Sequence, residues 1–386
     1  MSDHVAVVGA GYAGVAATRR LERLLPEGTT IELIDDTGTH LVQHELHRTI
    51  RYPDLADAIE IPLDEIVDRA TVTETRVEAV ETDDRTIHTV DGTVTFDAAI
   101  LATGAETADY GLPGVAEHGV PLKRLDHAAR IREVATDADR IVVGGAGLSG
   151  VQVAGELAAT EADIEVVVVE RLDEVAPGFP RNFRRAVRTA LDDRGIDVRT
   201  ETAITGATPG TVETEAGPIP CDLFVWTGGI TGTGATGGDR PQVRADLRID
   251  DRTFGVGDAV RIVDAEGEAV PASAAVAIRA APIAAKNVRR VLDGSDGFAP
   301  RLERYRLNVP GWIVSVGDGA VAQVGSPVLA GRAAIALKTA VGAGYLSSVG
   351  AVRNAVSLVN EELGLNVGAD LEAAADEDLE IDTDRK

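Results

Sequence analysis

The sequence predicts an α/β protein: two Rossmann-like, three-layer nucleotide-binding domains followed by a small C-terminal α+β module. Two observations carry that expectation. Glycine fingerprints occur twice, in Val5-Ala-Val-Val-Gly9-Ala-Gly11-Tyr-Ala-Gly14 and in Ile141-Val-Val-Gly144-Gly145-Ala-Gly147-Leu-Ser-Gly150. Each follows a short apolar, β-branched run and opens into an Ala-rich segment, the strand-turn-helix context that gives such a pattern its meaning. Each is also followed, about 20 residues on, by an apolar strand ending in acid, Ile31-Glu-Leu-Ile-Asp35 and Val166-Val-Val-Val-Glu170. Two nucleotide sites in one chain predict two redox cofactors face to face, the arrangement of an electron-transfer enzyme.

The elements follow in order. The first unit runs from a strand at 5–9 through a helix at 12–24 to a strand at 31–35. Residues 71–100 alternate apolar and polar around Asp91-Gly92, which predicts a β-meander ending in the buried strand Ala98-Ala-Ile-Leu101. Pro113-Gly114 marks a crossover. A second unit then shows helices at 125–135, 149–159 and 181–194, and strands at 141–144, 164–170, 197–200 and 223–227. The Gly- and Thr-rich stretch 231–239 reads as a flexible return linker. Thr253-Phe-Gly-Val-Gly257-Asp258 reads as a short strand, 272–292 as an Ala-rich helix, 311–325 as a hairpin, and 331–347 and 350–362 as helices. The boundaries expected are 1–112 with 232–300 for the first domain, 113–231 for the inserted second, 301–366 for the C-terminal module, and 367–386 for an acidic tail poor in apolar residues and expected to be disordered.

Composition narrows the function classes. At 386 residues the chain exceeds the usual size of one core, so several domains are expected. Aromatic residues make up only 3%, so the cores must rest on Ala, Val, Leu and Ile. The formal net charge is −26, and lysine occurs only at 123, 286, 338 and 386. A surface so acidic and so poor in lysine suits a high-salt cytoplasm, where screening shortens the range of self-repulsion. No basic stripe exists to offset phosphates, which argues against nucleic acid as a partner. Cys221 stands alone, so no disulfide, Cys-x-x-Cys pair or iron-sulfur ligand set forms within one chain. Its apolar neighbours predict a buried, inert thiol. No signal segment and no run of membrane-spanning length is read, so the expected location is the cytoplasm, with any membrane contact peripheral.

The glycines have separable tasks: one makes the tight turn, one lets the backbone approach a diphosphate, and one lets helix and strand pack closely. The diphosphate then lies at a helix N-terminus, where free amides and the helix dipole favour negative charge. Asp35 and Glu170 can accept hydrogen bonds from ribose hydroxyls. Glu170 would repel a 2′-phosphate, although Arg171 beside it could accommodate one; a solvated loop charge is the preferred reading of Arg171. His40, His44 and His47, with Glu45 among them, lie at helical spacing, but no second ligand cluster accompanies them and no metal is expected.

On these motifs the chain resembles the two-dinucleotide-binding flavoproteins and, within them, type II NADH dehydrogenases, from residue 4 to about 350. The resemblance rests on the fingerprints, on 31–46, on Asp97 to Gly104, on Phe254 to Asp258, and on Gly331 to Tyr345. It implies that Gly9, Gly11, Gly14, Asp35, Thr103, Gly104, Gly257 and Asp258 hold FAD. It assigns Gly145, Gly147, Gly150, Glu170, Gly228 and Gly229 to NADH, with NADPH less favoured. Hydride would pass from NADH to the flavin, and electrons then to an acceptor, a quinone or another small molecule. Two departures bear on that acceptor. Gln152 replaces a glutamate that the family has near the nicotinamide. Ala275 and Arg279 stand where quinone-reducing relatives carry glutamine. A soluble acceptor (a ferredoxin, oxygen or a small molecule) and a low-turnover NADH sensor or scaffold therefore stay open as alternatives. The lone cysteine argues against disulfide-reducing and sulfide-oxidising relatives. The resemblance further implies that the C-terminal segment serves membrane-surface contact or a homodimer. Ile335, Leu337, Val341, Tyr345 and Leu346 offer an apolar face for either, or for packing within the chain.

Overall fold

The computed structural model describes residues 3–294 and 300–363. The acidic tail predicted at 367–386 lies outside these residues. Two five-stranded parallel sheets dominate. In the first, the strands lie in the order Thr253–Gly255, Ala98–Leu101, His4–Val8, Thr30–Asp35 and Thr71–Glu74. In the second the order is Gly119–Val120, Leu223–Trp226, Arg140–Gly144, Glu165–Val169 and Asp197–Arg199. In each, the strand that precedes the glycine turn is central. Its neighbours lead off in opposite directions, so the turn opens at the point where strand order reverses.

Both sheets are covered in the same way, and alternation along the strands explains it. Val5, Val7, Ile31, Leu33, Ala98 and Ile100 face the helices Tyr12–Leu24 and Ala274–Asp293. Ala6, Val8, Ile34, Ala99 and Leu101 face Ile87 of a small antiparallel sheet, Val77–Glu81, Thr86–Thr89 and Gly92–Thr95, and Phe96 just after it. The meander expected at 71–100 is thus shorter than its sequence pattern, because Thr71–Glu74 pairs in parallel with Thr30–Asp35. In the second sheet, Val142, Val167, Val169, Phe224 and Trp226 pack on Ala207, Val212 and Ile219 of another antiparallel sheet, Ile204–Thr208, Thr211–Thr214 and Ile219–Pro220. The shortage of aromatics is met by close approach. Ala277, Ala280, Ala281, Ala284 and Ala285 on one helix and Ala13 and Ala17 on the other are all buried, small enough for the two backbones to come near.

The stretch 231–239 is not a loose linker. Ile230–Thr231 pairs antiparallel with Glu106–Thr107, so the outgoing and returning segments form a two-stranded ribbon. Beyond it, Gly238 N donates to Thr233 O (2.9 Å) and Thr236 Oγ1 donates to Asp239 O (2.7 Å). Glycine and threonine here serve a tight turn stabilised by its own side chains.

The C-terminal part comprises the strands Gly311–Val316, Gly319–Val324 and Val328–Ala330 and the helices Arg332–Ser348 and Val352–Leu363. It bridges both units. A methyl on Gly155 would lie 2.4 Å from Gly317 N, so the helix Leu148–Ala158 touches the hairpin backbone to backbone. Arg51 joins all three parts, with Glu156 at 2.6 Å and Asp318 at 2.8 Å. On the helix Arg332–Ser348, Leu346 is buried while Val341 is 53% exposed, so the apolar face expected there is divided between interior and surface.

Candidate functional site

The two glycine turns superimpose in their logic, residue by residue. Gly9 has φ +95° and Gly145 φ +96°, a region that favours glycine. A methyl on Gly14 would lie 1.7 Å from Gly9 O, and one on Gly150 would lie 1.9 Å from Gly145 O. These are the glycines that let the helix sit on its strand. Around Gly11 and Gly147, by contrast, no described heavy atom beyond the adjoining chain comes within 4 Å of an added methyl. That open space lies at the first turns of Tyr12–Leu24 and Leu148–Ala158, where Gly11 and Gly147 are the N-caps. Neither helix has a side-chain cap or an acidic residue in its first turn. Their leading amides are left for an anion, and the helix dipole adds to that attraction.

The two acids also match. Asp35 Oδ2 accepts from Ala10 N (2.7 Å), and its Oδ1 accepts from Thr37 N and Oγ1. Glu170 Oε2 accepts from Ala146 N (2.8 Å), and its Oε1 from Leu172 N (2.9 Å). Each carboxylate therefore holds the middle residue of its own glycine turn. A carboxylate has about four acceptor positions, so each keeps room for a ribose hydroxyl. Thr103 Oγ1 is buried without a hydrogen-bond partner among the described residues, as expected of an atom that awaits a ligand. Gly104 beside it has φ +68° and open space. In the second unit Thr227 Oγ1 donates to Gly144 O (2.9 Å), which ties Thr227, Gly228 and Gly229 to the turn. The donors, the space and the orphaned hydroxyl fit a dinucleotide at each turn.

Between the carboxyl edges lies a pair of charges that sequence reading joined only in part. Asp258 follows the strand Thr253–Gly255, and Lys123 follows the strand Gly119–Val120. Burial pushes the Asp258 carboxyl up, and Lys123 and Arg240 oppose that push. Burial likewise lowers the Lys123 ammonium. Arg240 donates to Asp258 O (2.5 Å) and Val260 O (3.1 Å), fixing this turn, which is a short 3₁₀ segment and not a helix cap. The only sequence signal for Lys123 was the rarity of lysine.

The two acceptor-side candidates lie one turn apart on a single helix, and Gln152 lies on a different one. The helix Ala274–Asp293 begins with Ser273 capping Val276 N, and a methyl on Gly257 would approach Ala13 Cβ (3.0 Å) and Ala277 Cβ (3.5 Å). Ala275 and Arg279 lie on another face of that helix, where Arg279 is exposed and donates back to Ala275 O (3.1 Å). Gln152 is half-buried in the helix Leu148–Ala158.

The histidines are not on one helix face. His40 lies on the strand Thr39–Leu41, and His44 and His47 lie in the 3₁₀ stretch Gln43–Ile50. His40 Nδ1 donates to Ala10 O (2.8 Å) and its Nε2 accepts from Tyr345 Oη (2.8 Å), so it is held neutral; burial lowers its pKa to about 4. His44 is bonded to Tyr12 and faces Glu45, while His47 faces Glu156. Among the described residues no group of three or more His, Cys, Asp or Glu side chains is placed to hold a metal ion. Cys221 is half-buried, not fully buried as expected, its neighbours Leu223, Phe224 and Val225 taking the interior; that partial burial raises its pKa to about 11.

Two α/β units, each with an open glycine turn at the carboxyl edge of its sheet, define a dinucleotide-binding protein with two sites. Residues 3–281 match the pyridine nucleotide-disulphide oxidoreductase family, and the chain belongs to it. The type II NADH:quinone oxidoreductase of Staphylococcus aureus is 25% identical over 381 residues, covering 86% of this chain and 93% of that protein. Among solved structures, NDH2 from Plasmodium falciparum in complex with NADH has a TM-score of 0.79 at 13% identity, covering 93% of this chain and 98% of the other. The sulfide:quinone oxidoreductase of Aquifex aeolicus has a TM-score of 0.75 at 19% identity, covering 95% of each chain. These two likenesses speak to the fold.

Proposed function

We propose that this protein is an FAD-dependent NADH:quinone oxidoreductase that passes hydride from NADH to flavin and then electrons to a quinone. The observation that carries the reading is the pair of matched turns, in which Gly11 and Gly147 each face open space at an uncapped helix N-terminus. The resemblance to quinone-reducing relatives in sequence supports the choice of acceptor. The flavin, when bound, supplies the two-electron relay between nicotinamide and acceptor. The chain's own part is binding and positioning. The first turn with Asp35, Thr103, Gly104, Gly257 and Asp258 receives FAD, and the second with Glu170, Gly228 and Gly229 receives NADH. Glu170, pinned by two amides, favours a ribose with a free 2′-hydroxyl over one carrying phosphate. The units that hold them are 1–112 with 232–300, and 113–231. The module 301–366 presents Val324, Leu329, Val341, Val352 and Val356 at the surface, which suits peripheral membrane contact or a homodimer. No helix among the described residues is long and apolar enough to cross a membrane.

Arg279 favours a second reading. An exposed cation in place of a neutral hydrogen-bonding side chain suits an anionic, soluble acceptor. One experiment separates the two: anaerobic NADH is added to the purified protein in high salt, and the bleached flavin is mixed with a short-chain quinone. Rapid return of the yellow colour supports quinone reduction. Flavin that bleaches but is not reoxidised by quinone moves the case to the soluble acceptor, and flavin that never bleaches overturns both.

A further inference from the structure

Tyr110 is the only exposed aromatic side chain among the described residues, 65% exposed, and its backbone is held at φ +55°. Leu112 N donates to Asp109 O (3.0 Å) and Gly111 N to Asp109 Oδ1 (2.8 Å), closing a tight turn. Both central residues of that turn have positive φ, Gly111 at +66°. Gly, Asn and Asp are the usual occupants of such positions, and a bulky ring is a rare one. Strain of this kind persists only where the surroundings fix it. Here Ala108 O accepts from Trp226 Nε1 (2.7 Å), and Ala108 N donates to Gly229 O (3.1 Å). The phenol reaches back over Gly229, where an added methyl would stand 1.9 Å from Tyr110 Oη, so only glycine leaves it this place. A side chain that is strained and stays largely in water has no account in folding; strain so placed points to a ligand.

Sheet order says which part of a dinucleotide comes here. Along the second sheet the strands run Gly119–Val120, Leu223–Trp226, Arg140–Gly144 and Glu165–Val169. With the diphosphate at the turn after Arg140–Gly144 and the adenine-side ribose on Glu170, the adenine half leaves toward Glu165–Val169. The nicotinamide half then leaves the other way, across the carboxyl end of Leu223–Trp226, one strand spacing or about 5 Å over. That end is Thr227-Gly228-Gly229. A methyl on Gly145 would lie 3.1 Å from Gly228 Cα, so this end touches the glycine turn, and Tyr110 covers its next residue. We propose that the Tyr110 ring packs on the nicotinamide end of bound NADH and holds it for hydride transfer. This rests on the NADH reading above. The ring leaves water when the nucleotide binds, and that contact offsets the strain of the turn. Tyr110 donates no proton and carries no electron; its part is to position the group that gives the hydride.

The test uses the complete FAD-loaded protein, with Tyr110→Gly and Tyr110→Phe as variants. Affinity is read without turnover, from the rise in melting temperature that NAD⁺ or ADP-ribose gives. ADP-ribose has the adenine half, the diphosphate and the second ribose but no nicotinamide. In Tyr110→Gly the nucleotide-free melting temperature holds or rises, because glycine takes φ +55° without strain. NAD⁺ binds about tenfold more weakly, the scale of one aromatic stacking contact, while ADP-ribose binds as before. The KM for NADH rises in step. Tyr110→Phe keeps the native NAD⁺ affinity, because the ring and not the hydroxyl makes the contact. Unchanged NAD⁺ affinity in Tyr110→Gly, or an equal loss for ADP-ribose, overturns the role of the ring, and so does a Phe variant as weak as the Gly one. Native protein whose melting neither nucleotide shifts overturns the NADH reading, and the inference with it.

Discussion

Lys338 Nζ lies 2.8 Å from Glu45 Oε2, an ion pair between residues 293 positions apart, with Glu45 2% and Lys338 9% exposed at the side chain. It fastens the C-terminal helix Arg332–Ser348 to the 3₁₀ stretch beside the first glycine turn. A buried pair is costly to break by halves, because the surviving charge stays out of water. Lys338→Met is therefore expected to lower unfolding stability by about 3–5 kcal/mol, and adding Glu45→Leu to recover much of that loss. Urea unfolding at fixed salt measures both. A double variant no more stable than the single one contradicts the account. Added salt should change the native pair's contribution little, since it is shielded from counter-ions.

His40 makes stability depend on acid. In the folded chain burial lowers it to about 4, against 6.5 when free. Between those values the unfolded chain binds the extra proton and the folded chain does not. Stability is thus complete above pH 6.5 and is lost as pH falls toward 4, by about 3 kcal/mol in all. Glu45 acts in the same direction over a lower range, its contribution present above 4.5 and lost as pH falls toward 2. His40→Gln should flatten the slope between pH 6.5 and 4 in thermal melts, and an unchanged slope would place the titration elsewhere.

The glycines of one turn should separate folding from binding. Gly11→Ala adds a methyl to open space and leaves φ at an ordinary −67°, so the cofactor-free melting temperature should hold while FAD affinity drops. Gly14→Ala places a methyl 1.7 Å from a carbonyl oxygen and should yield little folded protein. Gly147→Ala and Gly150→Ala should repeat the contrast for NADH. Melting with and without each nucleotide distinguishes the two effects, and equal damage from Gly11→Ala and Gly14→Ala would refute them.

Cys221, raised by burial to about 11, carries almost no thiolate near neutrality. Iodoacetamide at pH 7.5 should label it on the order of 10²-fold more slowly than a free cysteine, because the thiolate is the nucleophile. NADH oxidation should survive that treatment. Rapid labelling with loss of turnover would restore a thiol role.

What could be read from the sequence was local. Val5–Val8 and Ile141–Val143 announce buried strands by their unbroken apolar character, and the glycines that follow announce the turns. The small sheet at 204–220 escaped notice because its strands are two to five residues long and mix Thr and Gly with apolar residues. The ribbon at Glu106–Thr107 was hidden because its partner lies at Ile230–Thr231, far along the chain. Glu45, Arg48 and Lys338 look like ordinary solvated charges until folding removes them from water together. Tyr12 stands inside the first glycine fingerprint and His44 in the stretch 31–46; the tertiary contact that joins them has no period to detect.

The paired ribbon also sets an order of assembly. The sheet built on Arg140–Gly144 has all its strands once Trp226 has emerged, and its two ends already lie side by side at Ala108 and Gly229, bonded at 3.1 Å. The sheet built on His4–Val8 began earlier but still lacks Thr253–Gly255 and its covering helix Ala274–Asp293. During synthesis the inserted unit can therefore close first, leaving the older half as an unfinished scaffold with one bare edge until the later chain arrives.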